Sequence, residues 1–160
     1  MKKLLSAVLL SASVVTGAFA AGGSDIPMDD ANIDADNKAS LQRGARLYAN
    51  YCLGCHGLKF QRYNRMGKDL GMDDELVKEH LMFTTNKVAE TMDIAMPERE
   101  AATWFGQTPP DLSLITREKG VDYLYTYLTT FYVDESKEPG VTNYAFPNAS
   151  MPWVMWKLEG

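Results

Sequence analysis

Cysteine and histidine each occur only twice in the 160 residues. Two cysteines exclude a disulfide framework. A bridge between Cys52 and Cys55 would close too small a loop to restrain the unfolded chain much. A zinc site needs more donors than His80 can add to the Cys52–His56 stretch. Basic charge is also short, with 16 Lys and Arg against 21 Asp and Glu and a net charge of −5. Nucleic acid, which calls for clustered Lys and Arg, is therefore a poor partner, and a cationic protein a better one. Repeats and low-complexity tracts are missing, and strand signals are weak. After the first twenty residues no segment is long and apolar enough to cross a bilayer, so the mature product as written is expected to be soluble. With 46% apolar and 23% charged residues, a single mostly helical domain with long loops is the expected architecture.

The first twenty residues read as an export signal. Lys2 and Lys3 precede an apolar run from Leu4 to Val15, and Ala18-Phe19-Ala20 supplies small residues for cleavage near Ala20. Cleavage removes two positive charges and no acid, and delivers the chain to a bacterial periplasm. Residues 21–38 form an acidic leader with Asp25, Asp29, Asp30, Asp34 and Asp36, expected to be solvated loop. Residues 39–160 are then the folded domain. Helical spacing predicts helices over Ser40–Tyr51, with Ser40 as N-cap, and over Asp73–Phe83, with Leu76, Val77, His80 and Leu81 as its buried stripe. It also predicts Glu98–Phe105, with Pro97 as its first residue, and Val121–Tyr132, with Leu124, Tyr127, Leu128 and Phe131 on one face. Pro109-Pro110 forces an extended loop, Glu138-Pro139-Gly140 a turn, and Asn143–Trp156 reads as irregular.

The first helix runs into Cys52-Leu53-Gly54-Cys55-His56, a C-x-x-C-H motif, the signature of covalent haem attachment. Each thiol adds to one of two vinyl groups on the same ring, and the two-residue spacer lets both sulfurs reach that edge. His56 then reaches the iron from one face. A thioredoxin-like site would need a βαβ setting, which this stretch lacks. For the opposite iron position a methionine suits an electron carrier, because it raises the reduction potential. Met151, before Pro152 in a late loop, is preferred over Met96, before Pro97, because a distal ligand returns from a later segment and wraps the chain around the haem. His80 lies on an apolar helical face and reads as a structural histidine.

Several further stretches resemble the cytochrome c1 family, the haem-bearing subunits of ubiquinol–cytochrome c reductase (the cytochrome bc1 complex). They are Gly44-Ala45-Arg46-Leu47-Tyr48 leading to the haem motif, Leu58-Lys59-Phe60 with Arg62-Tyr63-Asn64, and Trp104-Phe105-Gly106. Pro109-Pro110-Asp111-Leu112-Ser113-Leu114-Ile115, Asp122 to Leu128, Phe146-Pro147-Asn148 and Met151-Pro152 complete the set. The resemblance implies a cytochrome c-like helical domain wrapped around one covalent haem c. Cys52 and Cys55 would hold it, with His56 and Met151 on the iron. It implies that Pro109 and Pro110 pack beside the haem, that Arg117 or Lys119 meets a propionate, and that Tyr123 lies close by.

In function the resemblance implies electron transfer from a Rieske iron–sulfur protein to cytochrome c, beside cytochrome b, on the periplasmic side of the inner membrane. Such a subunit carries electrons and does no chemistry on quinol itself. The family's C-terminal membrane anchor does not occur in these 160 residues, so attachment is expected through a segment outside them. The competing expectation is a free periplasmic monohaem cytochrome c acting as an electron shuttle. A sensor with an open iron position and a thiol redox protein are the remaining alternatives.

Overall fold

The computed structural model describes residues 26–159. The expected export signal, residues 1–20, lies outside them. Helix α1 (Lys38–Leu47) begins two residues earlier than its periodicity suggested. Its N-cap is Asn37, whose Oδ1 accepts from the Ser40 N–H at 3.1 Å, so Ser40 lies inside the helix and does not cap it. The helix does not simply stop. It widens into a π-helical turn, Tyr48–Cys52, closed by the Leu53 N–H on the Tyr48 carbonyl at 2.9 Å. Such turns are rare and frequently occur at functional sites, and this one delivers the chain into the C-x-x-C-H motif.

After the motif come strand β1 (Leu58–Arg62), helix α2 (Tyr63–Leu70), helix α3 (Asp74–Leu81) and strand β2 (Thr91–Met92). β1 and β2 pair antiparallel, with an irregularity between Leu58 and Arg62. Helix α3 matches its expected span closely, and the Asp73 carboxylate caps it by accepting from the Leu76 N–H at 2.9 Å, worth about 1 kcal/mol. Its expected buried stripe is half right. Val77 and Leu81 are buried, whereas Leu76 and His80 face solvent. The reason is α2, which periodicity did not reveal. Only Tyr63 and Gly67 of α2 are buried, and Gly67 lets the helix press directly onto Val77.

Leu53, Tyr63, Val77, Met82 and Met92 form the hydrophobic core, with Tyr48, Leu58, Met66, Met72, Val88 and Ile94 packed around it. All of these residues lie between positions 48 and 94, so the greasy part of the molecule stands immediately behind the haem motif.

The second half is built differently. Helix α4 (Glu98–Phe105) has Pro97 as its N-cap, one position outside the expected first helical residue. A short helix α5 (Ile115–Lys119), not foreseen, is separated from α6 (Val121–Thr129) by Gly120 at φ 88°, a conformation that favours glycine. α6 ends before the expected Tyr132, because Phe131–Val133 becomes strand β3 and pairs antiparallel with β4 (Val141–Asn143) across the Glu138–Gly140 turn. The tail ends in α7 (Trp156–Glu159). Three of the buried residues in this half are polar: Thr126, Thr142 and Asn143. The described part of the acidic leader before α1, residues 26–37, has no regular secondary structure, yet it is pinned to α6. The Asp29 N–H donates to Thr126 Oγ1 at 2.8 Å, and the Ala31 N–H to Asp122 Oδ1 at 3.0 Å.

A Cβ at Gly67 would stand 2.6 Å from Val77 Cγ2, inside a fully buried contact. Gly67→Ala should therefore destabilise the domain by about 1 kcal/mol. Overpacking at about 1–3 kcal/mol outweighs the roughly 1 kcal/mol of helix propensity gained. Urea unfolding followed by circular dichroism measures it, and a midpoint at or above that of the parent chain would contradict the packing argument.

Candidate haem site

Three stretches far apart in sequence enclose one pocket. The first is the π turn and haem motif, contributing Tyr51, Cys52, Cys55 and His56. The second runs from the end of α4 into the proline loop, with Phe105, Gln107, Pro109 and Pro110. The third is the late loop with Ser150, Met151, Pro152 and Val154. The space between them is about 530 Å³ with the open mouth included.

On one side, local hydrogen bonds shape the motif. The Cys55 and His56 N–H groups both donate to the Cys52 carbonyl, at 3.0 and 2.8 Å, folding the motif into a tight turn. Both thiols are half-buried and unbridged. Before any haem is attached, burial, and then the neighbouring Cys55, push the Cys52 thiol above its ordinary value. The Tyr48 hydroxyl donates to the His56 carbonyl at 2.6 Å. Burial raises the Tyr48 phenol, with further contributions from Cys52, Asp111 and Tyr63, so it remains a donor.

The imidazole is oriented from the proline loop. His56 Nδ1 lies 2.8 Å from the Pro110 carbonyl oxygen, which can only accept, so Nδ1 carries the proton. Nε2 is left with its lone pair free, as a metal-binding histidine requires. The loop is in turn fastened to β1. The Leu112 N–H donates to the Gly57 carbonyl at 2.9 Å, the Lys59 N–H to Asp111 Oδ2 at 2.8 Å, and the Phe60 N–H to Ser113 Oγ at 3.1 Å. Partial burial opposes the Asp111 charge, but hydrogen bonds from the Ser113 hydroxyl and from the Lys59 and Ser113 backbone outweigh it and hold the carboxyl below its usual value.

On the other side, Met151 hangs from a loop organised by Asn143. This fully buried amide donates through Nδ2 to the Tyr127 carbonyl at 2.6 Å, and its Oδ1 accepts from the Ala145 and Phe146 N–H groups at 2.8 and 3.0 Å. Thr142 Oγ1 donates to the Pro147 carbonyl at 2.8 Å. The Tyr127 hydroxyl lies 3.6 Å from Met151 Sδ. Burial, and secondarily Tyr123, push its phenol up to about 12.

Of the residues expected at the site, Cys52, Cys55, His56, Pro109, Pro110 and Met151 line the pocket together. Arg117 and Tyr123 are not among the lining residues. Arg117 is exposed on α5, and Tyr123 stacks on Tyr127 with ring centroids 6.3 Å apart. Met96 is also absent from the pocket wall. Sequence reasoning missed Tyr48, Asp111, Tyr127 and Asn143 as supports. Asp111 carried a signal, standing inside the Pro-Pro-Asp-Leu-Ser run, whereas the others read as ordinary core or turn residues.

A paired thiol turn, a histidine with a free Nε2 and a thioether from a distant loop around one largely apolar pocket suit a haem group. They define a c-type cytochrome domain. Residues 30–157 match the Cytochrome C1 family, and the chain belongs to it. Over its full length it is 44% identical to the cytochrome c1 of Allochromatium vinosum, covering 65% of that protein. It is equally 44% identical over its full length to a Nitrosomonas europaea protein called ammonia monooxygenase gamma subunit, covering 66% of it. The cytochrome c1 of Rhodospirillum rubrum is 29% identical over 64% of this chain and 44% of its own length. The chain thus spans about two thirds of the first two relatives. As in its family, its cofactor is one covalent haem c.

Because the folded-state value of Asp111 is depressed, its share of stability is complete above the ordinary carboxylate value of about 3.9 and is lost as pH falls through the lower folded value. Asp111→Asn should lower stability at pH 6 and reduce the further loss on going to pH 3. Urea unfolding of both holoproteins at the two pH values tests this, and parallel acid losses would remove Asp111 from the account.

Proposed function

We infer that this chain is a one-electron relay in which Cys52 and Cys55 would hold the haem by thioether bonds and His56 and Met151 would be its iron ligands. The observation that carries this is the single pocket joining the haem motif to Met151 across nearly a hundred residues of chain. The haem would supply a one-electron ferric–ferrous couple, and methionine ligation together with histidine would set it high. The protein's residues bind, orient and partly bury it. Pro109 and Pro110 would cover one face. For a propionate, Arg117 is favoured over Lys119. Its guanidinium makes no hydrogen bond or ion pair among the described residues, whereas Lys119 pairs with Glu118 at 3.0 Å. Tyr123 would sit one ring behind Tyr127.

Membership of the family supports a place in ubiquinol–cytochrome c reductase, beside cytochrome b, receiving electrons from a Rieske iron–sulfur protein and passing them to cytochrome c. Residues 1–20 would direct export, residues 21–38 form the acidic leader, and residues 39–160 the haem domain on the periplasmic face. Among the described residues no helix is long and apolar enough to cross a membrane, so attachment would come from a segment outside them.

The test is direct. Protein matured in an exporting host should keep its haem stain on a denaturing gel and lose it in Cys52→Ser/Cys55→Ser. The ferric visible spectrum should show a methionine–iron charge-transfer band that disappears in Met151→Ala; persistence of the band would reject Met151. In a pull-down from membranes, cytochrome b should accompany the chain, and recovery without it would favour a free shuttle.

A further inference from the structure

The Tyr127 hydroxyl is the one side-chain donor placed on Met151 among the described residues, 3.6 Å from Sδ, an ordinary reach for a bond to sulfur. Its position is over-determined. The ring stacks nearly parallel on Tyr123, with planes at 15°, and meets Phe131 edge-on at 5.2 Å and 74°. The Tyr127 carbonyl is held by Asn143 Nδ2, the same amide that folds the loop leading to Met151. Donor and acceptor are therefore anchored to one buried residue, and the contact does not depend on an unrestrained side chain.

A thioether sulfur has two lone pairs and is a weak acceptor. A donor on one lone pair leaves the other for a metal and fixes which way a flexible methionine presents it. It also draws electron density from the sulfur. A poorer donor stabilises ferric iron less than ferrous iron, because the higher charge depends more on donation.

We propose that Tyr127 is a positioning residue for the iron ligand, its hydroxyl holding the Met151 sulfur in one orientation and raising the reduction potential through it. This rests on the assignment of Met151 as a ligand. The test compares holoproteins. Tyr127→Phe keeps the ring and its contacts with Tyr123 and Phe131 and removes only the hydroxyl. The expected result is a lower midpoint potential in a redox titration, with a charge-transfer band that is retained but shifted. In a Met151→His background the same change should leave the potential unmoved, because the sulfur is gone.

An unmoved potential and band in Tyr127→Phe would overturn the proposal. So would a potential drop that persists in Met151→His, since the hydroxyl would then act by another route. A band that survives Met151→Ala would instead strike at the ligand assignment, and the proposal would fall with it. Loss of the band in Met151→Ala together with an unchanged Tyr127→Phe defeats the proposal alone.

Discussion

The hydrogen bond between His56 Nδ1 and the Pro110 carbonyl joins positions 54 residues apart, and much of the site follows from it. It closes the proline loop against the haem motif, fixes the imidazole tautomer and leaves Nε2 available. Its carbonyl stays in place because Asp111, Leu112 and Ser113 are all bonded to Gly57 or β1. The histidine itself is steadied from behind by Tyr48, at the start of the π turn. One ring nitrogen is thus fixed by a chain of backbone and side-chain bonds running back to the core.

The two sides of the pocket are held by different physics. Behind the motif lies an apolar core of Leu53, Tyr63, Val77, Met82 and Met92, packed by shape and non-directional burial. Behind Met151 the buried groups include Asn143, Thr126 and Thr142, and directional hydrogen bonds do the holding. Such a network specifies one geometry only while every member is satisfied. In this chain Asn143 uses both its amide nitrogen and its oxygen, and it ties the late loop to α6. The same tie places the Tyr127 ring and the Met151 loop in one unit.

Membership of the Cytochrome C1 family explains why the resemblance reached so far along the chain. The two relatives of 44% identity carry different names, a cytochrome c1 and an ammonia monooxygenase gamma subunit. A shared fold does not by itself fix a chain's partners.

The chain's own letters were enough to find the haem motif, because C-x-x-C-H is local chemistry: spacing alone decides whether two sulfurs and an imidazole meet one ring. They also located α3 and α4 to within two residues at each end, since caps and breakers such as Asp73 and Pro97 act on neighbours. Which face of α3 is buried was not legible, because Gly67 on an unforeseen helix decides it by close approach to Val77. Nor was the end of α6, where Phe131–Val133 continues a helical pattern yet finds a strand partner at Val141–Asn143. Local pattern was enough to single out Cys52, Cys55 and His56. Met151 was preferred from its place in a late loop, but only tertiary structure shows it in the same pocket and sets Tyr127 of α6 on its sulfur, because those contacts join segments whose closeness no neighbouring residue encodes.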